Sequence, residues 1–204
     1  MNCTAAAMSA PDQRNIAEIE RLIQHAGRIS DQAEHDALME QSYALLLPLV
    51  QKQVPAAQYL YACHFLSREG KRAEDAARRY QELVRAAARG AHAAAQFRLG
   101  QMLDDGGELD HDPGQSAYWF RLAAEQGDPY AQWVHGLNLL FGRGLQKDEA
   151  LGLQFIERAA AGKFEGALKF LADAYATGAH GYSRDETKAE FFRVRMLDVD
   201  VIGY

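Results

Sequence analysis

Along most of this chain apolar residues recur every three or four positions, the period of a helix with one buried face, and glycines close the stretches. Ile16, Ile19, Leu22, Ile23 and Ala26 form the first stripe, which ends at Gly27. Asn15 and Glu18 ahead of it have the form of a capping box. A second helix is predicted from about Asp31, through Leu45-Leu46-Leu47, to Val54. This pair carries no repeat signature, and its expected role is an N-terminal cap over the first repeat, the alternative being a dedicated docking element.

Past that point the pattern becomes periodic on a longer scale. Ala95-Gln96-Phe97-Arg98-Leu99-Gly100 is echoed by Ala131-Gln132-Trp133-Val134-His135-Gly136, and more faintly by Ala167-Leu168-Lys169-Phe170-Leu171-Ala172, with 36 residues between successive copies. Leu103, Leu139 and Tyr175 keep the same step, as do Gly106, Gly142 and Gly178, and Trp119, Phe155 and Phe191. A more worn copy starts at Ala57-Gln58-Tyr59 and closes at Ala86-Ala87-Ala88-Arg89-Gly90. Each copy reads as two short helices. Asp112-Pro113, Asp148-Glu149 and Asp185-Glu186 stand where the second helix starts, since Asp accepts from free backbone N–H groups and Pro suits the first helical position. Gly127-Asp128-Pro129 marks one stop and the next start.

Small residues at Gly100, Gly136 and Ala172, and the pairs Ala123-Ala124 and Ala159-Ala160, let helices approach closely while aromatic residues fill the space beside them. Such a pair cannot bury its own face and must stack on another pair. The combined pattern, A-x-x-x-L-G-x-x-Y-x-x-G-x-G, an Asp, then W-x-x-x-A-A-x-x-G, resembles the Sel-one-like repeat family, relatives of the tetratricopeptide repeats. The resemblance spans Ala57 to Asp198 and is strongest from Ala93 to Gly162. It implies an all-α fold, a right-handed α/α superhelical solenoid of about four two-helix repeats behind an N-terminal helical pair. The expected layout is a flexible N-terminus over 1–14, a helical cap over 15–55, and repeats over 56–204, at about 56–90, 91–127, 128–162 and 163–198 with a short apolar tail from Val199 to Tyr204. Glu108 and His180 depart from the family's second loop glycine. Val194-Arg195-Met196 replaces the paired alanines, which makes the last helix a cap and not a stacking surface.

By the same resemblance the first helix of each pair lines a concave face where a partner binds. The candidate contact residues are Tyr59, Phe97, Gln101, Asp104, Trp133, Leu137, Leu140, Phe141, Lys169 and Asp173, an apolar centre around Trp133 with polar edges. That is how interaction grooves are composed. The other reading of Tyr59, Phe97 and Trp133 is that they pack between helices, and the sequence leaves both open.

Composition narrows the partner. Net charge is −6 and the 22 Lys and Arg residues are scattered, so no basic stripe follows a phosphate backbone and nucleic acid is not expected. No basic n-region precedes an apolar run in Met1 to Asn15, and no run reaches membrane-spanning length. With Cys3 and Cys63 alone there is no disulfide framework, and a cytoplasmic location is expected. The carboxylates from Asp104 to Asp112 lack the alternating spacing of a calcium loop. Gly142-Arg143-Gly144 follows no strand, as a phosphate loop would, and His135 stands where the repeat carries Leu, as a hydrogen-bonded core histidine. With no serine motif for hydrolysis, the reading is a non-enzyme without cofactor or metal, a monomer that binds another protein or peptide as adaptor or scaffold. The alternative is an immunity protein or chaperone for a bacterial toxin or secreted effector, whose basic surface an acidic chain would suit. A hydrolase comes last.

Overall fold

The computed structural model describes residues 8–70 and 72–200, and among them every regular element is helical. The chain divides into two compact units, Met1–Gln96 and Phe97–Tyr204.

The first unit holds α1 (Ala10–Ala26), α2 (Gln32–Gln51), α3 (Pro55–His64), a short 3-10 turn (Leu66–Glu69), α4 (Ala73–Arg89) and the first turn of α5 (Ala93–Asp105). The stripe of α1 is buried as its spacing predicts, with Ile16, Ile19, Leu22 and Ala26 inside. Its start is not where the capping box places it. Ser9 is the N-cap, accepting from the Asp12 backbone N–H at 3.3 Å, so residues 10–14 are helical, Asn15 lies in mid-helix, and Glu18 binds Arg21. The expected flexibility of residues 1–7 and the fold-back of the tail at 201–204 fall outside the described residues.

The second unit contains the rest of α5, then α6 (Pro113–Glu125), α7 (Pro129–Phe141), α8 (Glu149–Ala161), α9 (Glu165–Thr177) and α10 (Glu186–Asp200). The capping aspartates act as the sequence predicts. Asp112, Asp128, Asp148 and Asp185 accept from the N–H groups of Gln115, Ala131, Leu151 and Lys188 at 2.9, 2.6, 3.0 and 3.0 Å. Gly142 and Gly178 close α7 and α9 in the left-handed conformation, which costs glycine nothing.

Small residues set the spacing of the helices. A Cβ on Gly136 would lie 2.9 Å from the Gly152 carbonyl oxygen and one on Gly152 would lie 2.8 Å from that of Gly136, so α7 and α8 touch backbone to backbone. Gly100 serves a different contact: the Phe120 ring of α6 occupies the space its missing side chain leaves. Two apolar clusters result: Ala123, Ala124, Ala131, Leu139 and Phe155 across one repeat junction, and Leu140, Ile156, Ala159, Ala160, Ala167, Leu168 and Leu171 across the next. The glutamine of the repeat signature closes a helix end. Gln132 Nε2 donates to Ala124 O at 3.3 Å and Gln96 Nε2 to Ala88 O at 3.2 Å, each a carbonyl of the last turn before.

Candidate functional site

Most of the candidate contact residues lie on the first helices of the second unit's repeats. Phe97, Gln101, Trp133 and Leu137 are half-buried, whereas Asp104, Phe141, Lys169 and Asp173 are exposed. Leu140 differs: at 3% exposure it belongs to the core cluster with Ile156 and Leu168. Within α7 the reason is register, although Asp104, at the same position one repeat earlier, is exposed. From Gln101, Leu137 and Asp173 one more turn of helix leads four residues on, to Asp105, Phe141 and Thr177, all exposed, and Leu140 is rotated inward from that column. Phe141 is 53% exposed, with the Arg143 guanidinium 5.2 Å from its ring centroid.

The aromatic column has a packing role. Phe97 lies 4.6 Å from Tyr130 by ring centroids, Tyr130 stacks on Phe164 at 5.0 Å, and Trp133 meets Phe164 and Phe170, each at 5.9 Å. Phe97 and Trp133 thus brace the start of the next first helix, and Trp133 also packs against the Leu140 cluster. In the first unit Tyr59 does the same with His92, at 5.1 Å. Tyr130 and Phe164, which complete the ladder, are not marked by the sequence because they precede or open the signature string and fall outside its columns.

The other sequence candidates are absorbed by structure. Asp112 caps α6, Glu108 pairs with Arg98, and the His111 ring meets the Asp104 carbonyl at 2.7 Å. Gly144, at φ +69°, packs against the backbone of Pro113 so closely that a Cβ would lie 2.0 Å from its carbonyl oxygen, which is why that loop returns to glycine. His135 is buried at 2% exposure, but its Nδ1 has no hydrogen-bond partner, contrary to the expectation of a bonded core histidine. Its ring stands edge-on to Phe155 at 4.7 Å. Burial, with a smaller contribution from Arg121, pulls its pKa down to about 4.

Paired helices, left-handed glycine caps and a face of exposed side chains on alternate helices define a helix-pair repeat protein. The profile of the Sel1 repeat matches residues 93–128, 129–164 and 166–192, so the chain carries three Sel1 repeats. Those segments coincide with three of the four copies read from the sequence; the worn copy at 56–90 lies outside them, on α3 and α4. Among solved structures the chain is similar to a Sel1 repeat protein from Oxalobacter formigenes, with TM-score 0.70 and 22% identity over 93% of this chain and 76% of that one. It is also similar to a protective antigen of uropathogenic Escherichia coli strains displaying an SLR fold, with TM-score 0.65 and 22% identity over 76% of this chain and 32% of that one. These likenesses show the fold. No curated protein matches the sequence.

Proposed function

We propose that this chain is an interaction module that holds a partner polypeptide against the first helices of its Sel1 repeats. Sel1-repeat proteins generally mediate protein–protein interaction, and no helix among the described residues is long and apolar enough to cross a membrane. The observation that carries the reading is Phe141, a large aromatic side chain left 53% exposed beside half-buried Leu137 on the middle first helix. An apolar anchor ringed by polar groups is how interface energy concentrates. The rim is Gln101, Asp104 and Asp105 on one side and Lys169 and Asp173 on the other, so carboxylates predominate. The partner segment that fits is an apolar side chain flanked by basic residues, and the acidic net charge speeds its approach. Phe97 and Trp133 shape the floor from below, and Tyr59 serves the same purpose in the first unit.

The test compares affinity capture from the native cell by the intact protein, by Phe141→Glu, and by Tyr118→Glu, whose ring is 48% exposed on a second helix. A partner retained by Tyr118→Glu and lost with Phe141→Glu supports the face. Loss with Tyr118→Glu alone moves binding to the second helices and sinks the assignment.

A further inference from the structure

A recess in the first unit has a chemistry of its own. Gln24 and His25 each stand three or four residues from both Arg21 and Arg28 along α1 and the turn after it, and so the four share a face. With Leu22 below and Leu38 of α2 opposite, they line a hollow of about 340 Å³. Every polar side chain in that lining can donate a hydrogen bond, and none is a carboxylate, in a chain where Asp and Glu outnumber Lys and Arg by 28 to 22.

The donors are also available. Arg21 Nε and Nη2 donate to the two oxygens of Glu18 at 2.9 and 2.7 Å, which orients the guanidinium and uses two of its five N–H groups. Glu18 therefore positions Arg21 without closing the recess. Among the described residues the side chains of His25 and Arg28 form no ion pair. Leu22, 6% exposed, and half-buried Leu38 supply an apolar wall against which a hydrocarbon body loses water.

Basic groups near a helix C-terminus also offset its dipole, which explains why His25 and Arg28 are tolerated there. It does not explain an apolar-backed hollow whose polar lining is donors alone. We propose that this recess binds a small oxyanion on an apolar body, a carboxylate or phosphate monoester. Arg21 and Arg28 hold the charged oxygens, His25 and Gln24 donate from the side, and an aryl or alkyl group lies on Leu22 and Leu38. The site is separate from the proposed partner face and stands or falls without it.

The experiment is an NMR titration of the full chain with phenyl phosphate, following the His25 ring and arginine Nε–H signals. Inorganic phosphate and benzyl alcohol serve as comparisons. Saturable shifts with phenyl phosphate are expected, with inorganic phosphate about tenfold weaker for want of the apolar contact and benzyl alcohol without effect. Arg28→Gln should weaken phenyl phosphate about tenfold or more. Arg89→Gln, at the C-terminal end of α4, should change nothing. Shifts that never saturate, or an equal effect of Arg89→Gln and Arg28→Gln, would reduce the site to a general ionic atmosphere and overturn it. Unchanged circular-dichroism melting of each variant keeps a folding defect from passing for lost binding.

Discussion

Gly162, at the end of α8, packs directly on Pro129, the first residue of α7: a Cβ at Gly162 would stand 2.7 Å from Pro129 Cγ and 2.9 Å from its Cβ. The first unit repeats the arrangement, where a Cβ at Gly90 would stand 2.3 Å from Pro55 Cγ. Between them in sequence, α5 opens with Ala93 and the corresponding closing residue is Gln126, so a side chain returns where the proline is gone. Gly162→Ala should therefore cost about 1–3 kcal/mol by overpacking. In a Pro129→Ala background most of that cost should vanish. Urea unfolding of the four proteins gives the coupling; equal costs in both backgrounds would show that the contact is relieved elsewhere.

A neighbouring position stores strain. Gln53, Ala91, Gly127 and Lys163 open successive helix pairs at φ of 59°, 63°, 94° and 62°, and only one of them is glycine. A side chain in this region costs about 1–2 kcal/mol, and glycine returns part of the gain through its freer unfolded chain. Lys163→Gly should thus stabilise the protein by about 0.5–1 kcal/mol, read as a raised urea midpoint at constant slope. A lowered midpoint would mean that the lysine stem contributes more than its strain costs.

The sequence showed the helix pairs and their caps because those features are local: an Asp accepting from an N–H three residues on, or a glycine turning left-handed, needs no tertiary context. The 36-residue period then located the stacking alanines, which the structure finds buried. Rotational register and the neighbours across a junction stayed illegible. Leu140 and Phe141 look alike in the sequence, yet 100° of helix rotation puts one in the core and the other in solvent. The start of α1 is ambiguous in the sequence since Ser9 and Asn15 are both good caps, and the choice rests on Pro11 and Asp12 favouring the first turn at Ala10.

That register is checkable by stability alone. Leu140→Ala removes a side chain that is 3% exposed and should cost about 2–5 kcal/mol. Phe141→Ser, one residue on, should change stability by no more than about 0.5 kcal/mol, because the ring it removes is more than half in water. Thermal melts of the two side by side decide it, and a comparable loss in both would place Phe141 in the core and remove it from the proposed face.

His135 ties stability to pH. Its unfolded pKa of 6.5 falls to about 4 in the fold, chiefly because burial penalises the imidazolium. The unfolded chain therefore takes up this proton first as pH drops. The contribution of the neutral ring is complete above pH 6.5, drains away between pH 6.5 and about 4, and is constant below, for a total of about 3 kcal/mol. Burial lowers His92 and His64 in the same sense, so a residual slope persists when His135 is replaced. The other repeats hold Leu99 and Leu171 at this position, buried at 4% and 1%, and Nδ1 of His135 is unpaired. His135→Leu should consequently be more stable than the parent near pH 5 and flatten the dependence of the unfolding free energy on pH between 4 and 6.5. A variant with the parent's full slope would assign that slope to His92, His64 and the carboxylates.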